Sequence, residues 1–271
     1  MTESRFPPAP ECLAEAALLG LFMIAAAAAT LVMEHPRSPV RRAIDRPWRR
    51  RAFIGLAMGA TAIALIESPW GGRSGAHMNP AVTLTFLGLG RMTPATALGY
   101  IAAQFAGGLA GMGVARFLLG RALAHPAVCY AVTVPGPAGA RVAFVAETLM
   151  ASGMMLMVLV TTNLPHLAPF TPWFAGGLLF LYITFAAPLS GMSLNPARTV
   201  ASAVPSRIWR SVWVYLTAPL LGMALAALVH LRVQAPVAPA CPKLHHGRVP
   251  RCIFCGQSAP APFPEPGVPR R

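Results

Sequence analysis

Few residues of this chain can do directional chemistry inside apolar sequence, and most of them occur twice. Ser-Gly-Ala-His-Met-Asn-Pro-Ala at 74–81 and Ser-Gly-Met-Ser-Leu-Asn-Pro-Ala at 190–197 share Ser-Gly, three residues, then Asn-Pro-Ala, at an offset of 116 residues. Asn is a preferred helix N-cap and Pro suits the first helical position, so Asn79-Pro80-Ala81 and Asn195-Pro196-Ala197 each read as a helix start. A helix start carries about half a positive charge. Two of them aimed at one point repel cations, and Asn side-chain donors beside them bind a passing oxygen and orient it against a proton wire. Arg198, three residues after Asn195, adds a permanent cation. Glu15 and Glu147 are single carboxylates in apolar runs, and Gln104 lies midway along another. Such groups are costly in hydrocarbon unless they are satisfied inside the protein. Near the C-terminus stand Cys241, His245 with His246 beside it, and Cys252-x2-Cys255. These are ligand types that hold zinc tetrahedrally, and Cys241, His245, Cys252 and Cys255 form the candidate set. The gap between the two halves of the set fits no familiar zinc module. Free thiols therefore stand beside structural zinc as a reading, and no other cofactor is expected.

The elements that must position these residues are membrane helices. The 271 residues are 55% hydrophobic and 11% charged, with a mean hydropathy of +0.57, against about 25% charged in a soluble domain. The net charge of +14 falls mainly between apolar segments and in the tail. That placement suits lipid headgroups rather than nucleic acid. Apolar runs at 12–33, 52–66, 95–119, 142–160, 173–189 and 212–231 predict six spans; those at 81–89 and 197–204 are too short to cross. The expected fold is an all-α membrane protein with six transmembrane helices and two re-entrant half-helices. Three full spans per half make the second half an inverted repeat of the first. Five parts follow: an N-terminal tail at 1–11, a first repeat at 12–119, a connecting loop at 120–141, a second repeat at 142–232, and a Pro-, Cys- and His-containing tail at 233–271 with little core. Irregular backbone at membrane depth must line a cavity or be buried in protein, so the half-helices imply a lumen. No constellation reads as catalytic.

On the motifs SGAHMNPAVT and SGMSLNPAR, with Glu15, Glu147 and Gln104, residues 10 to 232 resemble the major intrinsic protein family, the aquaporins and glycerol facilitators. The resemblance implies a homotetramer in the cell membrane with one pore per subunit. It implies passive passage of water and small uncharged solutes such as glycerol, without protons or ions. It also makes Glu15, Glu147, His77 and Gln104 braces of the re-entrant loops. Counting from the second Asn-Pro-Ala places three positions of the family's constriction at Ile183, Met192 and Arg198; the fourth is Gly59 or Ile54. Strict water channels of the family carry His at the first and a small residue at the second, and here both are apolar. Thr199, Ala203 and Tyr215 resemble the water-channel side, and Leu216 the glycerol side.

Three other readings stay open: a non-conducting or gated scaffold with this fold, a channel mainly for a non-water neutral solute, and a coupled transporter. The last wants a carboxylate at the midplane, where only Glu67 is unassigned. The family's orientation puts Arg37, Arg41, Arg42, Arg46, Arg49, Arg50 and Arg51 outside, against the positive-inside rule, so an inverted or dual insertion is also open.

Overall fold

A computed structural model describes residues 9–233, 241–246 and 252–255. Long helices are α1 (Ala9–Glu34), α3 (Pro47–Glu67), α6 (Pro94–Leu119), α7 (Gly139–Asn163), α8 (Thr171–Leu181) with its continuation, and α11 (Val212–Val233). Short helices are α2 (Pro39–Ala43), α4 (Pro69–Ser74), α5 (Pro80–Gly88), α9 (Ala187–Ser190) and α10 (Pro196–Ser206). Among the described residues five helical stretches are long and apolar enough to cross a membrane. The sixth long helix, α3, has the length but opens on Pro47-Trp48-Arg49-Arg50-Arg51. It starts five residues before the apolar run does, because Pro47 supplies the first helical position. Arg50 is buried there, donating to Glu34 at 3.1 Å and to the Ile44 and Asp45 carbonyls at 2.9 Å each.

Packing follows small residues. α1 lies against α6, α7 against α11 and α3 against α8. A Cβ on Gly107 would sit 2.1 Å from the Ala16 carbonyl, and one on Gly222 would sit 2.3 Å from that of Thr148. In lipid, close backbone approach of this kind replaces the hydrophobic drive that folds soluble bundles. The outward faces stay apolar, with Leu13, Leu98, Phe117, Leu149, Phe185 and Leu228 all exposed. All five tryptophans are exposed, and Trp48, Trp70, Trp173 and Trp213 stand in the first turn of a helix. Amphipathic rings collect at such headgroup-level positions.

The Gly-rich stretch after Glu67 is the short helix α4, capped by Ser68, whose Oγ accepts from Gly71 N at 3.0 Å. One expectation changes. The described part of the tail is not peripheral: Cys241, Lys243, Leu244 and Cys252 are buried against the first repeat. Single-sequence reading missed this because the tail's apolar residues are few and gain their cover only from a distant surface.

Candidate functional site

Each re-entrant loop hangs from one carboxylate. Glu15 Oε1 accepts from Ser74 Oγ at 2.7 Å and His77 N at 3.0 Å; its Oε2 accepts from Met78 N at 2.6 Å and Gln104 Nε2 at 2.8 Å. Glu147 Oε1 accepts from Ser190 Oγ at 2.7 Å and Ser193 N at 2.8 Å, and its Oε2 from Leu194 N at 2.7 Å. Both side chains are fully buried. A carboxylate is what these loops need, because it accepts several bonds at once, and bonds to a charged group contribute about 1.5–3 kcal/mol each. The backbone being held is unusual. Ala76 and Met78 have φ of 55° and 49°, and Met192 and Leu194 have 50° and 57°, with Gly75 and Gly191 also positive. Left-handed conformation at a non-glycine residue is uncommon, and it persists where the surroundings over-determine it.

Each loop ends at its Asn. Asn79 Oδ1 accepts from Ala81 N at 2.9 Å and Asn195 Oδ1 from Arg198 N at 3.2 Å, which caps α5 and α10. The amide nitrogens cross over: Asn79 Nδ2 donates to the Leu194 carbonyl and Asn195 Nδ2 to the Met78 carbonyl, both at 2.7 Å. The two half-helices therefore meet start to start. Of the two N–H groups on each amide, one is spent holding the opposite loop and one is left for the lumen.

Two cavities continue from this meeting point and share Phe22, Leu179 and Ser193 in their walls. The larger, ≈ 320 Å³, is lined by Ile54, Ile183, Met192 and Arg198 together with the 126–134 loop. Arg198 Nη1 is buried and has no partner among the described residues. Ile183 lies in a π-turn, Tyr182–Ala186, which continues α8 into α9. Pro188 explains part of this irregularity, since it offers no N–H to the carbonyl four residues back. That carbonyl, on Thr184, accepts from Arg51 Nε at 3.2 Å, which fixes a second guanidinium beside the chamber. Of the two candidates from α3, Ile54 lines the chamber. Gly59 does not: a Cβ there would lie 2.6 Å from the Gly176 carbonyl, so it is a contact glycine between α3 and α8. Counting along the sequence could not settle which of the two faced inward.

The smaller cavity, ≈ 110 Å³, contains Asn79 and Asn195 in its wall, with His77, Val82, Ile66 and Leu244. His77 is held from three sides: Nδ1 pairs with Thr83 Oγ1 at 3.0 Å, Nε2 with the Pro242 carbonyl at 2.7 Å, and the ring stacks on Phe86.

A family model described as "Major intrinsic protein" matches residues 3–230. The chain belongs to the major intrinsic protein family. It is 34% identical over 224 residues to the lens fiber major intrinsic protein of Gallus gallus, covering 78% of each chain. It is 33% identical over 193 residues to aquaporin NIP6-1 of Arabidopsis thaliana, covering 70% of this chain and 61% of that relative's length. With the glycerol uptake facilitator protein-like 6 of Lactiplantibacillus plantarum it shares 36% over 177 residues, or 64% of this chain and 81% of the other. The aquaglyceroporin from Plasmodium falciparum has a similar fold, with a TM-score of 0.66 at 20% identity over 84% of this chain and 97% of that one.

Within this major intrinsic protein two further braces escaped the sequence reading. Tyr100 Oη donates to the Ser74 carbonyl and Tyr215 Oη to that of Ser190. Their offset of 115 residues, nearly that of the Asn-Pro-Ala copies, was the available signal. In the tail, ligand atoms of Cys241, His246, Cys252 and Cys255 all lie within 4.8 Å of one another. His245 is not in this group. Spacing cannot choose between adjacent histidines, and the path of the loop turns His246 inward. Cys241 Sγ and Cys252 Sγ are 3.5 Å apart, and the hydrogen bond between them pushes the first thiol up in pKa and the second down.

Proposed function

We propose that this chain is a passive membrane channel for water and small uncharged solutes such as glycerol, closed to protons and ions. We further infer that it forms homotetramers with one pore per subunit in the plasma or inner membrane. One observation carries the conducting reading: two half-helix starts meet with their Asn amides crossed, between two cavities that share wall residues. A cation arriving there meets two positive helix ends with no carboxylate among the described residues of either cavity wall, whereas a neutral oxygen meets N–H donors. The relatives named as aquaporins and as a glycerol uptake facilitator support the same solute class.

Selection falls to the larger chamber. Ile54, Ile183 and Met192 give it apolar walls, and Arg198 Nη1 offers a buried donor with no partner among the described residues. A solute with a hydrocarbon face and a hydroxyl edge satisfies both. Swelling of proteoliposomes under water, glycerol and urea gradients tests the proposal: rates above those of empty vesicles are expected for water and glycerol. No swelling above empty vesicles with any of the three would sink it. Arg198→Ala is expected to admit larger solutes and a cation leak, because it removes the charge and widens the chamber together.

A further inference from the structure

We propose that Cys241, His246, Cys252 and Cys255 bind a zinc ion, and that this ion pins residues 242–244 into the pore mouth beside His77. The tail is then a metal-dependent gate. Its gating part rests on the channel reading above; its metal part does not.

The geometry of the four ligands comes first. With Zn–S about 2.3 Å and Zn–N about 2.0–2.1 Å, a tetrahedral site has S···S edges of about 3.8 Å and S···N edges of about 3.6 Å. Here Cys241 Sγ and Cys252 Sγ are 3.5 Å apart, and His246 Nε2 and Cys255 Sγ are 3.4 Å apart. The longest separation in the group is within 4.8 Å. Three thiols and an imidazole select a borderline-soft ion of no fixed geometric demand, which is zinc, over oxygen-seeking magnesium or calcium. Cys241 and Cys252 are buried, and Cys255 and His246 are partly so.

What lies between the ligands ties the site to the pore. The segment bracketed by Cys241 and His246 carries every polar contact of the described tail to the first re-entrant loop. The Pro242 carbonyl meets His77 Nε2 at 2.7 Å, Lys243 Nζ donates to the Gly72 carbonyl at 2.7 Å, and Leu244 N donates to the Gly75 carbonyl at 3.1 Å. Lys243 is 2% exposed, and Leu244 forms part of the wall of the cavity that holds both Asn residues. From the other ligand pair, Phe254 sets its ring edge-on to Tyr100 at 6.4 Å. An ion joining Cys241 and His246 to Cys252 and Cys255 thus fixes both ends of the inserted segment. Linkage then requires that metal favour the seated tail and that unseating weaken the metal.

The test uses the full chain in two independent measurements. Elemental analysis of purified protein is expected to give one zinc per chain, reduced to a trace in Cys252→Ser/Cys255→Ser. Swelling of zinc-loaded proteoliposomes is expected to be slow and to rise about fivefold or more after a zinc chelator, the lower end of typical coupling between two sites. Leu244→Ala should swell quickly while keeping its zinc. Absence of zinc in the wild type overturns the metal site; a disulfide between Cys241 and Cys252 on thiol counting would do so too. Zinc present with swelling unchanged by chelation overturns the gate. If no protein swells, with metal or without, the channel reading fails with the gate, and the zinc content still decides the site.

Discussion

The two repeats build the same scaffold and then depart from it at four places facing the pathway. At an offset of 116 residues Ser74, Gly75, Asn79, Pro80, Ala81 and Thr83 recur as Ser190, Gly191, Asn195, Pro196, Ala197 and Thr199. The recurring residues cap, turn or brace. At the same offset Ala76 becomes Met192, His77 becomes Ser193, Met78 becomes Leu194 and Val82 becomes Arg198. Each of these eight lines at least one of the two cavities. The second repeat thereby makes the chamber with a cation and a bulky thioether. The first makes a mouth with an imidazole, and against that imidazole the tail is seated. Symmetry holds where the backbone must be held, and it breaks where solute passes. The bracing chemistry is the same at both ends because both loops expose the same N–H groups, whereas selection needs only one narrow point.

The comparison can be broken at its scaffold first. Glu15→Ala and Glu147→Ala each strand two loop N–H groups and a serine hydroxyl, and the first also removes one of the two acceptors of Gln104 Nε2, leaving Thr83 Oγ1. At about 1–3 kcal/mol for each of the three orphaned donors the variants share, a loss of about 3–9 kcal/mol is expected for both. Thermal unfolding in detergent should show the two variants similarly destabilised, and a wild-type midpoint for either would end the equivalence.

Helix contacts come next. Gly107→Ala and Gly222→Ala push a Cβ to 2.1 and 2.3 Å from backbone carbonyls at matching places in the two halves. Overpacking of this kind costs about 1–3 kcal/mol. Gly113→Ala meets nothing within 4 Å and serves as the neutral control. The same unfolding assay distinguishes them.

Making the repeats alike at a broken position sharpens the comparison instead. Met192→Ala gives the second loop the residue that stands at Ala76 and should raise glycerol flux relative to water by about tenfold, the effect of one or two methylenes in a confining site. An unchanged flux ratio would remove Met192 from the constriction. The smallest effect is expected for Tyr100→Phe and Tyr215→Phe, each removing one hydroxyl-to-carbonyl bond to its loop for about 1 kcal/mol. Unequal shifts between them would show that the tail, packed on Tyr100 through Phe254, supports the first loop as well.

By itself the sequence determined the spans, the two half-helix starts, the paired carboxylates and the family, because each rests on local chemistry. Apolar length, a cap followed by proline, and the cost of a charge in hydrocarbon are all legible without a partner. Tertiary structure decided what depends on which groups meet. Ile54 rather than Gly59 enters the chamber because α3 turns its glycine to α8. Arg51 reaches the Thr184 carbonyl across 133 residues, where Pro188 offers no N–H. His246 rather than His245 joins the cysteines, and the segment they bracket lies on His77, 165 residues away from Pro242. Periodicity and spacing carry no information about such distant contacts, and here they set the wall of the chamber and the state of the other mouth.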